Sequence, residues 1–240
     1  MPRRTILFFY IFLVITSSAP GQIRDSVKQE SLLIKSITPA VLMGSGLLLS
    51  GSQPEKNLQV HLRGLVGDDF QSDVDDYLQY APIAQLYIAD LAGLRSRNHW
   101  FDQTKYLLIS NLITSALTHG LKNLTMKARP NRAPYAFPSG HTSFAFNNAA
   151  VLYQEFNQSS PLLAYSGFAF ATTTGVYRML NNKHWLSDVF FGAGLGILVV
   201  ELVYHFEPLK AFNPFKESNS VSIIPEITEH RFGIYLTYAF

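Results

Sequence analysis

The stretch that decides the fold is Phe137-Pro138-Ser139-Gly140-His141-Thr142, which opens an apolar run that continues to Tyr153. Ser139 is a favourable N-cap residue, so the run is predicted to be a helix that begins beside it. The free N–H groups and the positive dipole end of such a helix attract an anion. Gly140 lets a phosphate approach the backbone, and a protonated His141 could donate to a leaving oxygen. A capped helix with an incidental histidine fits the same residues.

A segment with two cations precedes this stretch. Lys122 and Arg129 are separated by six residues, and Pro130 follows. At that spacing both side chains are predicted to lie on nearly one face of a helix that ends at Pro130. Arginine donates two parallel hydrogen bonds to phosphate and stays charged, so this face suits an anion. The alternative is a solvated helix face.

A second histidine belongs to a third segment, Arg178-x5-His184-x3-Asp188. One helical turn separates the last two residues, so the carboxylate of Asp188 can accept from the imidazole N–H. This contact fixes the tautomer and leaves the other nitrogen of His184 free to attack phosphorus. Arg178 is predicted to reach the same phosphate oxygens from a preceding loop. The alternative is a histidine and an aspartate that lie on the surface of a helix at the same spacing without a catalytic role.

These three segments, in this order and spacing, resemble the type 2 phosphatidic acid phosphatase superfamily. That superfamily also contains bacterial class A acid phosphatases and vanadium-dependent haloperoxidases. The resemblance covers roughly residues 100–205. It implies that Lys122, Arg129 and Arg178 hold a phosphate, with help from the Ser139 hydroxyl and the Gly140 amide.

The resemblance also assigns the chemical roles. It implies that His184 attacks and forms a phosphohistidine, that Asp188 orients His184, and that His141 protonates the leaving group. One position departs from the family pattern, because Tyr177 stands where a small serine usually precedes the arginine. The departure concerns a secondary contact, and none of the central charges or nucleophiles is missing.

The implied activity is that of a metal-independent phosphatase acting on a lipid phosphate or diphosphate at the periplasmic side of a membrane. No cofactor is expected, and vanadate is expected to inhibit. Four alternatives stay open: a non-specific periplasmic acid phosphatase, a lipid phosphotransferase, a haloperoxidase with vanadate as its cofactor, and a non-catalytic phosphate-binding or assembly protein. The sequence does not choose among undecaprenyl diphosphate, phosphatidylglycerol phosphate, phosphatidate and lipid A phosphates, and it gives no oligomeric state.

Beyond the three segments, the chain is predicted to be helical. Gly and Pro residues punctuate the gaps between apolar runs at Gly51–Pro54, Pro130–Pro138 and Pro208–Pro214. The fold class is therefore predicted to be all-α, a six-helix bundle with its site built from facing helix ends. The six runs with helical spacing are Leu32–Ser50, Val74–Leu94, Asp102–Leu121, Thr142–Phe156, Leu162–Tyr177 and Ser187–His205.

The two ends of the chain differ from this helical part. Arg3 and Arg4 precede an apolar core and the small residues Ala19-Pro20-Gly21, which predicts a secretory signal peptide in residues 1–21, with an uncleaved anchor as the alternative. A phosphatase-type domain is predicted for residues 22–210. The tail, residues 211–240, is predicted to form a β-hairpin, because Phe232, Ile234, Leu236, Tyr238 and Phe240 alternate along it.

Composition limits the location and the partners. Export would place the protein in the periplasm or cell envelope, where the absence of cysteine means that no disulfide holds the fold. The net charge of +2 is close to neutral and does not indicate a basic surface for binding nucleic acid. The glycine-spaced apolar run Phe190–Val200 suits close helix packing in lipid and favours association with the inner membrane, although a buried helix of a soluble bundle looks similar.

An acidic cluster surrounds the start of the second predicted helix. Asp68, Asp69, Asp73, Asp75 and Asp76 suggest calcium at first sight, but they lack the spaced ligands and the closing glutamate of an EF-hand loop. The cluster is therefore predicted to be the solvated, acidic start of a helix, with no metal bound.

Overall fold

The structure is a computed structural model that describes residues 31–206, 208–209, 221–228 and 231–238. This part of the chain contains eight helices and two strands. The predicted signal peptide, residues 1–21, lies outside the described residues. The elements are α1 (Leu32–Leu49), α2 (Gln53–Val66), α3 (Val74–Leu78), α4 (Ala81–Leu91), α5 (Trp100–Thr125), α6 (Gly140–Phe156), α7 (Pro161–Leu180), α8 (Leu186–His205), β1 (Val221–Thr228) and β2 (Arg231–Tyr238).

The helical domain is confirmed, but the predicted count of six helices is wrong for the described residues. Helix α2 begins in the predicted linker Gly51–Pro54, where the Ser52 hydroxyl accepts from the Glu55 amide at 3.3 Å. Pro54 lies in the first turn of α2, where a proline costs no hydrogen bond. The predicted helix Val74–Leu94 divides into α3 and α4, because Pro82 has no N–H with which to continue α3.

Helix α6 is central to the domain. It packs against α4, α5, α7 and α8, and most of its residues are buried. Burial of each large apolar side chain contributes roughly 1.5–3 kcal/mol, so this core supplies the main stabilisation of the fold. Large residues that are almost fully buried in the core include Leu86, Val151, Leu152, Phe156 and Val200.

Glycines on α8 bring it close to two neighbouring helices. A Cβ at Gly196 would collide with the Ser143 carbonyl oxygen of α6, and a Cβ at Gly194 would collide with the backbone of α1 at Pro39. The glycine-spaced run therefore packs helices closely, as the sequence predicts. This approach sets the beginnings of α6 and α8 side by side, where the Ser139 amide donates to the Asp188 carbonyl at 3.0 Å.

Two of the described helices, α1 and α8, are long and apolar enough to cross a membrane, by length and composition alone. Most of α8 is buried in the core of the domain. Only 11% of α1 is buried, and the side chains of Leu33, Val41 and Leu48 are exposed. Of these two helices, α1 therefore leaves more apolar surface unburied.

The strands β1 and β2 lie where the alternating tail predicts a hairpin. They pair antiparallel, with Val221 opposite Tyr238 and Thr228 opposite Arg231. Residues 229–230 between them are not described.

Candidate active site

The beginning of α6 forms one wall of the site. Ser139 is the N-cap, as predicted: its hydroxyl oxygen accepts from the Thr142 hydroxyl at 2.8 Å and lies 3.5 Å from the Thr142 amide nitrogen. The hydroxyl hydrogen of Ser139 is still available for donation to another acceptor. A Cβ at Gly140 would point toward Thr118 and Lys122 of α5 and would meet nothing closer than 3.8 Å.

The first cationic segment differs from the prediction in one respect. Lys122 lies in the last turn of α5, but the helix ends at Thr125, so Arg129 lies on the following loop instead of on the same helix face. Met126 ends the helix because its backbone is left-handed, with φ of 46°. The loop then folds back, and the Lys122 ammonium donates to the Tyr135 carbonyl at 2.7 Å.

The third segment also differs in detail. Arg178 lies in the last turn of α7 and not on a loop, and it is buried. His184 lies on the short connection between α7 and α8, where its amide donates to the Arg178 carbonyl at 3.2 Å. Asp188 lies in the first turn of α8, and its carboxylate accepts from the Trp185 amide at 2.8 Å.

The charges of the three cations interact, and the pKa values of Lys122 and Arg129 are lowered. Burial, together with the charge of Arg129, lowers the pKa of Lys122 to about 8. Burial and the charge of Arg178 lower the pKa of Arg129. The Nε atoms of Arg129 and Arg178 are buried and have no hydrogen-bond partner among the described residues. Crowded, partly unpaired cations of this kind are stabilised by an anion that accepts from them.

His184 is buried beside a carboxylate. Its Nδ1 faces the Asp188 carboxylate at 3.5 Å, longer than an ordinary hydrogen bond, and the ring is only 1% exposed. Burial lowers the pKa of His184 to about 4, although Asp188 opposes the shift. The imidazole is therefore neutral near pH 7, and Nε2 is the nitrogen whose lone pair is left to react.

Lys127 holds Asp188 from the other side. Its ammonium donates to the Asp188 carboxylate at 2.9 Å and to the Ser187 hydroxyl at 2.7 Å. Glu55 of α2, also buried, accepts from the Ser187 amide at 2.9 Å. The carboxylate beside His184 is thus fixed by a neighbouring cation and by the Trp185 amide.

Two members of the acidic cluster belong to this site, which corrects the prediction that the whole cluster is solvated. Asp68, Asp69 and Asp73 are exposed. Asp75 is fully buried and accepts from Arg178 at 2.6 Å, and Asp76 lies 2.8 Å from His141. The reason is tertiary: α3 packs against α7 and α6, and this contact carries the two carboxylates to the basic side chains.

A cavity of about 230 Å³ opens beside His141. Lys122, Gly140 and His141 line it, whereas Arg129, Arg178 and His184 do not. The remaining lining is mostly polar or aromatic: Gln79, Tyr80, Thr114, Ser115, Thr118, His119 and Phe144. The cavity therefore offers space next to the histidine assigned to the leaving group.

Some residues of the site carry no recognisable signal in the sequence. Lys127 lies inside the six-residue spacer of the first segment, and Asp75, Asp76 and Glu55 lie far from every segment along the chain. Tyr177, the departure from the family pattern, is half-buried on α7, and its carbonyl accepts from the Asn181 amide at 2.8 Å. Among the described residues, no group of three or more histidines and carboxylates is placed to hold a metal ion.

The helical fold and the order of these residues along the chain point to one class of protein. Residues 103–211 match the model of the PAP2 superfamily. The resemblance drawn from the three segments is thereby confirmed.

Two known proteins are similar to the chain. The lipid A 1-phosphatase of Porphyromonas gingivalis is 34% identical over 154 residues, which are 62% of this chain and 34% of that protein. The chain thus matches about a third of the length of this relative. The crystal structure of a transmembrane PAP2-type phosphatidylglycerolphosphate phosphatase from Bacillus subtilis superposes with a TM-score of 0.52 at 19% identity, covering 75% of this chain and 99% of that one. At this identity the likeness shows a shared fold.

The open space at Gly140 leads to a prediction. Gly140→Ala is expected to leave the melting temperature unchanged, because the added methyl group meets no protein atom closer than 3.8 Å. It is expected to weaken inhibition by vanadate about 10–100-fold, because the methyl group stands where the anion approaches the helix. Inhibition constants and thermal melts measure the two effects.

The matched control is the same substitution at a packed glycine. Gly196→Ala is expected to destabilise the fold by about 1–3 kcal/mol, because its methyl group collides with α6. Unchanged vanadate inhibition in a folded Gly140→Ala protein would exclude an anion site at this helix.

Proposed function

We propose that the protein is a metal-independent phosphatase that hydrolyses a phosphate monoester of a lipid through a phosphohistidine. One observation carries the proposal: Arg129 and Arg178 each have a buried Nε atom without a hydrogen-bond partner among the described residues, and the charge of Arg178 acts on both Arg129 and the neutral, buried His184. Such an arrangement binds a dianion and attacks its phosphorus without a metal, because side chains supply the positive charge.

The first step transfers the phosphoryl group to the enzyme. Nε2 of His184 forms a bond to phosphorus while the bond from phosphorus to the leaving oxygen breaks. Lys122, Arg129 and Arg178 stabilise the charge on the equatorial oxygens, and the Ser139 hydroxyl and Gly140 amide add donors. The leaving oxygen takes a proton from His141, which lines the adjoining cavity.

The second step regenerates the enzyme. His141, now neutral, takes a proton from a water molecule as the water oxygen attacks phosphorus, and the bond from phosphorus to Nε2 of His184 breaks. Inorganic phosphate and a protonated His141 result, so atoms and charges balance over the cycle. An alcohol of a second lipid in place of water would make the same site a phosphotransferase.

Two observations support a lipid substrate: the similarity to a known lipid phosphatase and the apolar surface of α1. The relative with 34% identity is a lipid A 1-phosphatase, and the apolar helix α1 is mostly unburied, with several large apolar side chains exposed. We therefore include lipid A phosphates among the candidate substrates and place the enzyme at a membrane. In this proposal, residues 1–21 direct export, residues 22–210 form the catalytic domain, and the reaction occurs on the periplasmic side.

The proposal predicts phosphate release that withstands chelation. Purified protein is expected to release inorganic phosphate from at least one of lipid A 1-phosphate, phosphatidylglycerol phosphate, phosphatidate and undecaprenyl diphosphate in the presence of EDTA. Vanadate is expected to inhibit, because it has the shape and charge of phosphate and fits the same residues. A colorimetric phosphate assay on the lipid panel measures both effects, with the His184→Ala protein as the background control.

Three outcomes would contradict the proposal. Activity that is lost in EDTA and restored by magnesium would exclude the metal-free mechanism. Halide oxidation that depends on added vanadate would make the protein a haloperoxidase. Tight phosphate binding without turnover of any ester would make it a binding protein. Sequencing the N-terminus of the enzyme isolated from the cell envelope tests the proposed export, since a mature chain that begins at Met1 would retain the segment as an anchor.

A further inference from the structure

We propose that Asp76 is a positioning residue for the proton donor His141, so that each of the two histidines works with its own carboxylate. The inference rests on the proposed phosphatase function. It assigns a role to the part of the acidic cluster that the resemblance leaves unexplained. The pairing of His184 with Asp188 is local in the chain, whereas His141 and Asp76 are 65 residues apart.

The geometry of α3 supports the assignment. Nε2 of His141 lies 2.8 Å from Oδ1 of Asp76, and the same oxygen lies 3.7 Å from Nη1 of Arg178. The neighbouring Asp75 is fully buried and accepts from Arg178 at 2.6 Å and from Asn181 at 2.8 Å. These two hydrogen bonds fix α3, and α3 in turn holds the Asp76 carboxylate against His141.

The contact determines which nitrogen of His141 acts. Because Nε2 faces Asp76, the proton for the leaving oxygen must come from Nδ1. In the protonated imidazole, Nε2–H donates to Asp76 while Nδ1–H is given to the leaving oxygen as the bond from phosphorus breaks. After this transfer the ring is neutral, and Nε2–H still donates to the carboxylate. The ring therefore stays oriented until Nδ1 takes a proton from the attacking water.

The contact with Asp76 also stabilises the protonated form of His141. Burial lowers the pKa of His141, and Arg178 lowers it further, whereas the hydrogen bond and the charge of Asp76 raise it. The other titratable groups near this ring are Asp75 on α3 and three residues that line the same cavity, Tyr80 before α4 and His119 and Lys122 on α5. Removing the Asp76 charge leaves the cations and the burial unopposed, so less of the protonated donor is present at neutral pH.

The experiment compares two esters across carboxylate variants. Asp76→Asn is expected to lower kcat on an alkyl lipid phosphate about 10–100-fold, a part of what a general acid contributes. On 4-nitrophenyl phosphate, whose leaving group needs no proton, the loss in kcat/KM, which reports the first step alone, is expected to stay within about threefold. The alkaline limb of the pH–rate profile should move to lower pH, and Asp76→Glu should restore part of the activity.

Matched variants separate this role from a structural one. Asp73→Asn changes an exposed carboxylate one residue before α3 and is expected to leave both rates unchanged. Asp75→Asn loosens Arg178 and is expected to weaken vanadate inhibition for both esters alike. In a His141→Ala background, Asp76→Asn should add no further loss, since the two residues act as one unit.

A measurement without turnover completes the test. NMR titration of the histidine signals, with His141 assigned from the His141→Gln protein, is expected to show a lower pKa for His141 in Asp76→Asn than in the wild type. An unchanged pKa, an equal loss on both esters, or faster turnover in Asp76→Asn would overturn the inference. If the wild type hydrolysed no ester, the proposed function would fail, and the titration would still decide whether Asp76 and His141 are paired.

Discussion

Replacing His184 with alanine is expected to abolish phosphate release from every ester, because no covalent intermediate can form without its Nε2. The structure supports this assignment, since Nδ1 faces Asp188 and burial lowers the pKa of His184 to about 4, which keeps the ring neutral. The measurement is phosphate release from an alkyl lipid phosphate and from 4-nitrophenyl phosphate. Residual activity equal to the assay background is the expected result for both.

The matched variant is His141→Ala, which removes the proton donor and keeps the nucleophile. In kcat/KM, which reports the first step alone, it is expected to lose about 10²–10⁴-fold on the alkyl ester and far less on the aryl ester, because nitrophenolate leaves without a proton. Rescue of His184→Ala by the aryl ester would exchange the two assignments. Trapping of a phosphorylated His184 peptide in the wild type, by rapid acid-free quenching and mass spectrometry, gives an independent check.

Asp188→Asn is expected to lower kcat about 10³–10⁴-fold, the loss typical when the carboxylate that orients a catalytic histidine becomes an amide. An amide N–H directed at Nδ1 favours the tautomer with the proton on Nε2, and that nitrogen then has no lone pair with which to attack. The change also removes the charge that pairs with Lys127 at 2.9 Å. Steady-state kinetics on both esters measure the loss, which the aryl ester should not reduce.

Two controls accompany the Asp188→Asn measurement. Vanadate should still inhibit Asp188→Asn, because Lys122, Arg129 and Arg178 are unchanged, and this shows that the variant is folded. Lys127→Met should cause a smaller loss, since Asp188 keeps its hydrogen bond from the Trp185 amide at 2.8 Å. If the Asp188→Asn protein kept more than about a tenth of the wild-type activity, Asp188 would not have the role in orienting His184 that we propose.

The sequence predicts local features of the site well, because short-range chemistry determines them. Ser139 was identified as an N-cap since its hydroxyl can reach an amide three residues later, and α6 begins beside it. Helical periodicity likewise identified most of the core helices. The same local reasoning failed where the chain leaves a helix: Arg129 lies on a loop because Met126 adopts a left-handed backbone, which no spacing rule indicates.

The partners of the charged groups were decided by tertiary structure alone. Asp75 meets Arg178 across 103 residues, and Lys127 meets Asp188 across 61 residues. Before folding, each of these charges is equally well solvated by water, so nothing in its sequence neighbourhood selects a partner. The selection follows from packing. Glycines on α8 let α6 and α1 approach closely, and α3 packs on α7 and α6 with its carboxylates against Arg178 and His141. Burial makes each of these pairings strongly preferred, because an unpaired charge in the interior costs far more than one in water.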